Sequence, residues 1–210
     1  MTPYLQGIID NISSKMSHDD IHDYFGDKCY MAKSNFSEIV EYFIENTDFD
    51  ILYSIFTSTH FKKNNDLRDS YNEPIIHSIM YAIYAIVTME KEDWTEAKKM
   101  ELKEGFIKLL TDVSIPFQWN MTDYNIDNPM HLVLTHWECY TLGEILTILS
   151  LANQNGVSPL NRNDVDCNAF DVLFSYDEMP EEFKEQIMAV LSPMCDDQIL
   201  EIPTITYAEV

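Results

Sequence analysis

The chain has 210 residues, and its 36 acidic residues against 13 basic ones give a formal net charge of −23. Hydrophobic residues make up 46% of the sequence, which excludes a disordered polar chain and is enough to build a core without disulfides or structural metals. A negative charge of this size repels nucleic acid and anionic membranes and attracts basic surfaces, although it can also serve solubility alone. Composition alone leaves both interpretations open: a protein partner with a basic surface, or acidity that only keeps the chain soluble.

The cysteines and the N-terminal segment indicate a compartment. The four cysteines lie far apart and form no CxxC pair, as is typical of reduced thiols. The N-terminal segment has neither a basic start nor an unbroken apolar run, and no stretch approaches the roughly 20 apolar residues that span a bilayer. We therefore expect a cytoplasmic protein that makes no membrane contact.

The first part of the chain has helical periodicity without a clear repeat. Apolar spacing predicts successive helices over 4–12, over 18–25, from Ser37 and over 48–61. Ser17 has a suitable N-cap side chain for the second helix, and acidic residues follow in its first turn. The segment 62–69 is polar and turn-like, which indicates a boundary. These features predict a non-repeat N-terminal helical region over residues 1–69.

From about residue 70 the same features occur three times: a short capped helix, a turn, a longer helix and an irregular polar segment. The short helices are expected to begin at Pro74, Pro129 and Ala169. The longer helices are expected over about 95–111, 141–156 and 181–192. Asp127 or Asn128 would cap the second short helix, Gly156 would end the second long one, and Pro193 would stop the third. Offsets of 55 and 40 residues between the short helices are typical of stacked helical pairs.

At these positions the chain resembles the ankyrin-repeat family. Pro129-Met130-His131-Leu132 is similar to the T-P-L-H opening of that family's first helix, and Ala169-Phe170-Asp171 is similar to its T-A-L-D variant. Residues 144–149 resemble the second-helix phrase E-I-V-K-L-L, and residues 155–161 resemble the A-G-A-D-V-N stretch that follows it. The match is degenerate, because the offsets exceed the family's period of about 33 residues and the expected turn glycines are missing.

The resemblance implies a mainly α fold. We expect a stacked helix-pair, ankyrin-like solenoid over about residues 70–195, after the N-terminal region 1–69 and before an acidic C-terminal tail over 196–210. The resemblance also implies that His131 is the structural histidine that hydrogen-bonds backbone between repeats. His77 is expected to play the same role, although it lies one place late relative to Pro74.

The resemblance further implies a protein-binding scaffold without a shared active site. Its contact surface would include the irregular segments 116–128 and 158–168 and the acidic start of the last helix. Aromatic residues among carboxylates suit a basic partner. The expected contact residues are Trp119, Asp123, Tyr124, Asp127, Asp164, Asp166, Asp177, Glu178, Glu181 and Glu182. Trp119 can instead be a core residue that covers the end of a helix pair.

Motifs for catalysis or cofactor binding are weak. His18 and His22 lie four residues apart in HDDIH, but the glutamate of a zinc-protease helix and a third ligand are missing, so an ordinary helix start is the better interpretation. The sequence contains neither a glycine-rich phosphate loop nor a GxSxG nucleophile motif. We therefore expect no enzymatic activity, no cofactor and no bound metal.

Three functions remain open. The first is an acidic inhibitor or adaptor that occupies the basic surface of a nuclease, a toxin or a defence or nucleic-acid-processing complex, as an immunity or anti-defence protein does. The second is a DNA mimic, whose carboxylates are densest over 177–185 and would compete with nucleic acid for the partner. The third is a structural adaptor whose binding does not depend on charge.

Overall fold

The structure, a computed structural model, describes residues 2–26, 29, 31–90 and 94–196. Over these residues the chain is mainly helical, and the β structure is limited to one isolated bridge between Arg68 and Pro74. The helices are α1 Pro3–Lys15, α2 His18–Tyr24, α3 Lys33–Glu45, α4 Phe49–Thr57, α5 Thr59–Lys63, α6 Ile75–Thr88, α7 Glu96–Thr111, α8 Pro129–Thr135, α9 Leu142–Gln154, α10 Ala169–Ser175 and α11 Glu181–Asp196. A 3₁₀ turn over Trp137–Cys139 follows α8. Apart from Asp196, the expected acidic tail lies outside the described residues.

Side-chain caps determine where several helices begin. Four helices begin with a reciprocal capping box. The side chain of the cap accepts a hydrogen bond from the third helical N–H, and the side chain of that third residue accepts one from the backbone N–H of the cap. The caps are Ser17 of α2, Asn128 of α8, Thr141 of α9 and Asn168 of α10. Each such cap stabilises its helix by about 1 kcal/mol. After α9, Gly156 has a φ of 82°, the left-handed conformation expected at a helix end. The caps predicted at Ser17, Asn128 and Gly156 are thus confirmed.

Three predicted boundaries are wrong. Helix α3 begins at Lys33 rather than Ser37, because Ser37 is a buried helical residue whose hydroxyl donates to the Arg68 carbonyl. The stripe over 48–61 forms two helices, because Ser58 is extended and caps α5. Helix α11 continues through Pro193, since a proline near the end of a helix removes a single backbone hydrogen bond.

The helices pack in successive pairs. α6 contacts α7, α8 contacts α9, and α10 contacts α11. α8 also contacts α6 and α10, while α9 contacts α7 and α11, so the first helices of the pairs form one row and the second helices form another. In the N-terminal region, α3 and α4 contact each other, α3 contacts α6 and α4 contacts α7. The α3–α4 pair therefore extends both rows, a feature that the sequence did not predict.

One hydrophobic core runs through all the pairs. Its buried apolar residues extend from Leu5 in α1 to Leu191 in α11 and form a single cluster. Its largest fully buried side chains are Phe25, Phe36, Phe43, Phe56, Phe61 and Phe106. Burial of each contributes roughly 2–3 kcal/mol. None of the helices in the described ranges is both long and apolar enough to cross a bilayer.

Candidate functional site

Three turns of the same geometry precede α6, α8 and α10. We call them turn I (69–73), turn II (123–127) and turn III (163–167). In each turn the first residue donates its N–H to the carbonyl of the fifth, at 2.8, 3.1 and 2.9 Å. The side-chain oxygen of the first residue accepts the N–H of the fifth, at 2.9 Å in all three. Asp or Asn at the first position therefore closes each turn, as is usual for these side chains.

The fourth residue of each turn adopts a left-handed backbone. The φ angles are 67° at Asn72, 61° at Ile126 and 65° at Asp166. Asn and Asp tolerate this region, whereas a β-branched residue such as isoleucine is strained there. All three turns share this conformation, but only turn II places a β-branched residue in it, so the strain falls on Ile126.

The three turns lie side by side. The Asp164 N–H donates to the Asn125 carbonyl at 2.9 Å, which joins turns II and III. The guanidinium of Arg68, which precedes turn I, donates to the Thr122 carbonyl before turn II at 3.1 Å. Large side chains at the tips are mostly exposed: Tyr71 80%, Tyr124 76%, Val165 69% and Ile126 50%. We call these four residues the tip row.

A cleft opens beside the tip row. Its volume is about 830 Å³, and it lies between α3, α6 and turn I. Tyr71 and Tyr124 line it from the tips, Ala82 and Ile86 from α6, and Glu41 and Glu45 from α3. Its surface is therefore apolar along one helix and acidic along the other.

The predicted contact residues fall into two separate places. Tyr124, Asp164 and Asp166 are exposed on the neighbouring turns II and III. The four acids of the last helix start, Asp177, Glu178, Glu181 and Glu182, are also exposed, but they follow the C-terminal end of α10. Turn III lies at the N-terminal end of α10, and seven helical residues span about 10 Å. The structure therefore does not bring the two acidic groups together.

Two of the predicted contact residues are corrected. Trp119 is 4% exposed and belongs to the hydrophobic core, so the alternative core role applies to it. Asp123 is 5% exposed, and its Oδ1 accepts the N–H groups of Asn125 and Asp127 at 2.8 and 2.9 Å. Neither side chain is free to contact a partner. Asp127 is half-buried and accepts from the Asn163 amide at 2.9 Å.

Behind turns II and III lies a group that we call junction II, made of Asp127, His131 and Asn163. The Asn128 N–H donates to His131 Nδ1 at 3.1 Å, so the ring proton is on Nε2, which donates to the Cys167 carbonyl at 3.1 Å. The Asn163 amide donates to Asp127 Oδ1. His131 therefore makes the backbone contact expected of it, with a carbonyl of turn III. Burial lowers the pKa of His131, which keeps the ring neutral.

The equivalent group behind turns I and II, junction I, is made of Glu73, His77 and Asp123. His77 is the third residue after the Pro74 cap, as His131 is after the Asn128 cap. The one-residue offset relative to the proline arises because Pro74 is the cap, whereas Pro129 is the first helical residue. The side chains are 7%, 0% and 5% exposed, and one ligand atom of each lies within 4.8 Å of the others. The Tyr81 hydroxyl donates to Asp123 Oδ2 at 3.4 Å.

Junction I is not satisfied as junction II is. Among the described residues, no group makes a regular hydrogen bond to His77 Nδ1, His77 Nε2 or Glu73 Oε2. At junction II the Asn128 N–H donates to His131 Nδ1 and the Asn163 amide donates to Asp127. At junction I, Pro74 has no N–H to donate to His77 Nδ1, and Asp123 has no side-chain amide to donate to Glu73. Burial, followed by the charges of Asp123 and Asp69, raises the pKa of Glu73 to about 7. Burial lowers the pKa of His77 to about 3.

Junction I was not among the sites expected from the sequence. An acid four residues before a histidine occurs at Glu73–His77 and again at Asp127–His131, and the offset between the two is 54 residues. That recurrence could have aligned the two histidines. The third member, Asp123, is 46 residues from His77 in the chain and is brought to it only by the packing of turn II against α6.

No protein-family model matches the chain, and neither a curated protein nor a solved structure matches it.

Proposed function

We propose that this chain is a non-catalytic protein-binding module of the ankyrin type, which uses its tip row and the adjacent carboxylates to occupy a basic surface of a partner protein. The observation that supports this best is the exposure of Tyr71, Tyr124 and Val165 on three neighbouring turns of equal geometry. Large side chains that extend from these turns into solvent do not stabilise the core. Exposed apolar surface lowers solubility, and a role in binding a partner explains why such side chains are present here.

The ankyrin-type arrangement is supported by the two rows of helices and by the turns that precede each first helix. It is also supported by His131, which links α8 to the carbonyl of Cys167 in the next turn. Stacked helical pairs of this kind leave their turns and first helices free along one side. The cleft along α6 lies on that side and continues the surface formed by the tips.

The charge around the tips favours a basic partner. Asp164 and Asp166 are exposed on turn III, and Glu41 and Glu45 line the cleft. Aromatic side chains supply most of the affinity of an interface, whereas exposed charges raise the association rate and select the partner. An inhibitor or adaptor that occupies a basic surface would use both on the same side of the molecule.

The test uses the full chain as bait in a cell lysate, at about 0.05 M and about 0.5 M salt. We expect a reproducible basic protein that is retained at low salt and mostly lost at high salt. A variant with Tyr71→Ala, Tyr124→Ala, Asp164→Lys and Asp166→Lys should lose it. The control Glu101→Lys with Glu104→Lys makes the same charge change on the exposed face of α7 and should retain it.

Two outcomes contradict the proposal. Retention of the same partner by the tip variant would show that the tip row is not the contact surface. Turnover of a small molecule by the purified chain, unaffected by the tip variant, would contradict the non-catalytic role. Retention by both baits at high salt would instead support an adaptor without charge preference.

A DNA mimic is the second candidate, and the exposure of Asp177, Glu178, Glu181 and Glu182 at the start of α11 favours it. Duplex DNA presents one charge per roughly 1.7 Å of its axis, which a mimic has to approach. Added duplex DNA should then displace the captured partner. Reversal of these four charges, rather than those of turn III, should abolish the capture.

A further inference from the structure

Junction I contains polar atoms that folding has buried without satisfying them. His77 is completely buried and Glu73 is 7% exposed, and within the described part of the chain His77 Nδ1, His77 Nε2 and Glu73 Oε2 have no regular hydrogen-bond partner. Native proteins leave few such groups unpaired, because each costs about 1–3 kcal/mol. The backbone of Met121 lies beside one ring nitrogen of His77, which leaves the other ring nitrogen and Glu73 Oε2 without a hydrogen-bonding protein group in the described chain. Two such atoms on residues four positions apart indicate that something else occupies the space between them.

The donors lie on backbone that is fixed before any ligand arrives. Glu73 closes turn I, since its carbonyl accepts the Asp69 N–H at 2.8 Å. His77 lies in the first turn of α6, and Asp123 begins turn II, where its Oδ1 is held by two backbone N–H groups. A site built on such elements is pre-organised, because little side-chain freedom is lost when a ligand binds.

The chemistry of the donors selects a cation. Two carboxylates face one another across the site, and Asp69 and Asp127 add further negative charge to it. The positive charge of Arg68 acts on Glu73, but the Arg68 guanidinium donates its hydrogen bonds to the carbonyls of Asn72 and Thr122. An anion would be repelled here, and a single water molecule would not neutralise two carboxylates. A divalent cation would accept the lone pairs of the unpaired atoms and also neutralise the carboxylates.

We propose that Glu73, His77 and Asp123 bind one Zn²⁺ ion, which joins turn I and helix α6 to turn II. This inference is independent of the proposed protein-binding function. One imidazole nitrogen and two carboxylate oxygens form a mixed set that Zn²⁺ accepts, whereas Ca²⁺ and Mg²⁺ prefer oxygen alone. Zinc ligands lie about 2.0–2.2 Å from the metal and hence roughly 3.3–3.6 Å apart. Donor atoms within 4.8 Å reach that spacing by small side-chain rotations.

The surrounding residues fit a metal site. The Tyr81 hydroxyl donates to Asp123 Oδ2 and would hold that carboxylate in orientation. The backbone of Met121 lies beside the His77 ring, and a metal-bound histidine usually directs its other ring nitrogen to a backbone carbonyl. The fourth zinc position is left for water.

Junction II shows what the same position looks like without a metal site. There Asn163 stands in the place of Asp123, and its amide donates to Asp127. Asn128 stands in the place of Pro74, and its backbone N–H donates to His131. At junction I, Pro74 and Asp123 stand where junction II has Asn128 and Asn163, so two hydrogen-bond donors are lost and the acceptors remain. That is the change a cation site requires.

The test is a titration of the chelator-treated full chain with ZnCl₂, followed by calorimetry and by thermal unfolding. We expect one Zn²⁺ per chain and a rise in Tm of roughly 5–10 °C when Zn²⁺ exceeds its Kd about 100-fold. Asp123→Asn copies the residue of junction II and should fold, yet bind Zn²⁺ at least about tenfold more weakly. His77→Gln should do the same, and in a Co²⁺-loaded sample it should lose the absorption changes due to imidazole ligation.

A control separates this site from surface binding. The double variant His18→Gln with His22→Gln alters the histidine pair of α2, in which His18 is exposed and His22 half-buried, and should bind Zn²⁺ like the parent chain. The proposal is overturned if the parent chain binds no Zn²⁺ at micromolar concentration. Equal affinity of the parent, Asp123→Asn and His77→Gln chains would overturn it too, as would loss of binding only in the α2 double variant.

Discussion

Junctions I and II occupy equivalent places in successive helix pairs and yet differ in chemistry. Junction II is neutralised by hydrogen bonds: Asn163 serves Asp127, and Asn128 serves His131. Junction I has the same backbone and the same histidine, but Asp123 and Pro74 replace the two donors. The difference shows that, within the described chain, equivalent backbone positions hold a fully hydrogen-bonded group in one case and a group with unpaired acceptors in the other, and the proposed Zn²⁺ site rests on that contrast.

The largest effect is expected when junction II is given the acid of junction I. Asn163→Asp removes the amide that donates to Asp127 Oδ1 and places two carboxylates together. We expect the free energy of unfolding at pH 7.5 to fall by about 3 kcal/mol. Urea denaturation measures it. Asn120→Asp makes the same charge change at an exposed position and should have an effect below about 0.5 kcal/mol. Equal losses in both variants would contradict the role given to Asn163.

A smaller effect with a defined pH dependence is expected at His131. His131→Gln should cost roughly 1–3 kcal/mol at pH 7.5, because it disturbs the contacts with Asn128 and Cys167. Burial lowers the pKa of His131 below the ordinary value of 6.5, against the opposing charges of Asp127 and Asp123. As the pH falls below 6.5 the unfolded parent chain binds a proton that the folded chain excludes, so the parent loses stability.

The difference in unfolding free energy between parent and His131→Gln should therefore narrow as the pH falls. Urea unfolding of both chains at pH 7.5 and at pH 5.5 checks this. A constant difference across this range would mean that His131 is not kept neutral by folding.

The converse change at junction I should stabilise the metal-free chain. Asp123→Asn keeps the Oδ1 acceptor that closes turn II and supplies an amide to Glu73. It also removes one of two neighbouring buried carboxylates. With chelator present at pH 7.5, we expect the free energy of unfolding to rise by about 1–2 kcal/mol. A loss of stability in this variant would show that the two junctions are not equivalent.

The smallest effect concerns the turn tips. Ile126 has a φ of 61° where turn I has Asn72 and turn III has Asp166. Ile126→Asn should stabilise the chain by about 0.5–1 kcal/mol, since the side chain is half exposed and little burial is lost. Thermal unfolding measures it. Val113→Asn, a matched change at another exposed β-branched residue, should not raise the stability, because Val113 is not among the positive-φ residues of the described chain.

Much of the local structure could be predicted because it depends on neighbouring residues. Ser17, Asn128 and Gly156 act within one helical turn of their positions, so their types alone indicate caps. The role of His131 was accessible through its place in the P-M-H-L phrase. Ser37 was misread for the opposite reason, because its hydroxyl donates to the carbonyl of Arg68, 31 positions away.

The candidate site was only partly predictable. Tyr124, Asp164 and Asp166 were correctly expected in irregular segments, and they are exposed. Trp119 and Asp123 have the same residue types in the same segments but are buried. Aromatic and acidic residues occur both at tips and inside turns, so composition alone does not separate the two environments.

By itself, the sequence determined the helical character of the chain, its strong negative charge and the caps at Ser17, Asn128 and Gly156, since these follow from residue type and short-range spacing. Only the tertiary structure decided that α3 and α4 extend the rows of helices and that Asp123 meets Glu73 and His77. Those outcomes depend on how distant segments pack, because a buried side chain is satisfied or left unpaired by whatever the fold brings beside it.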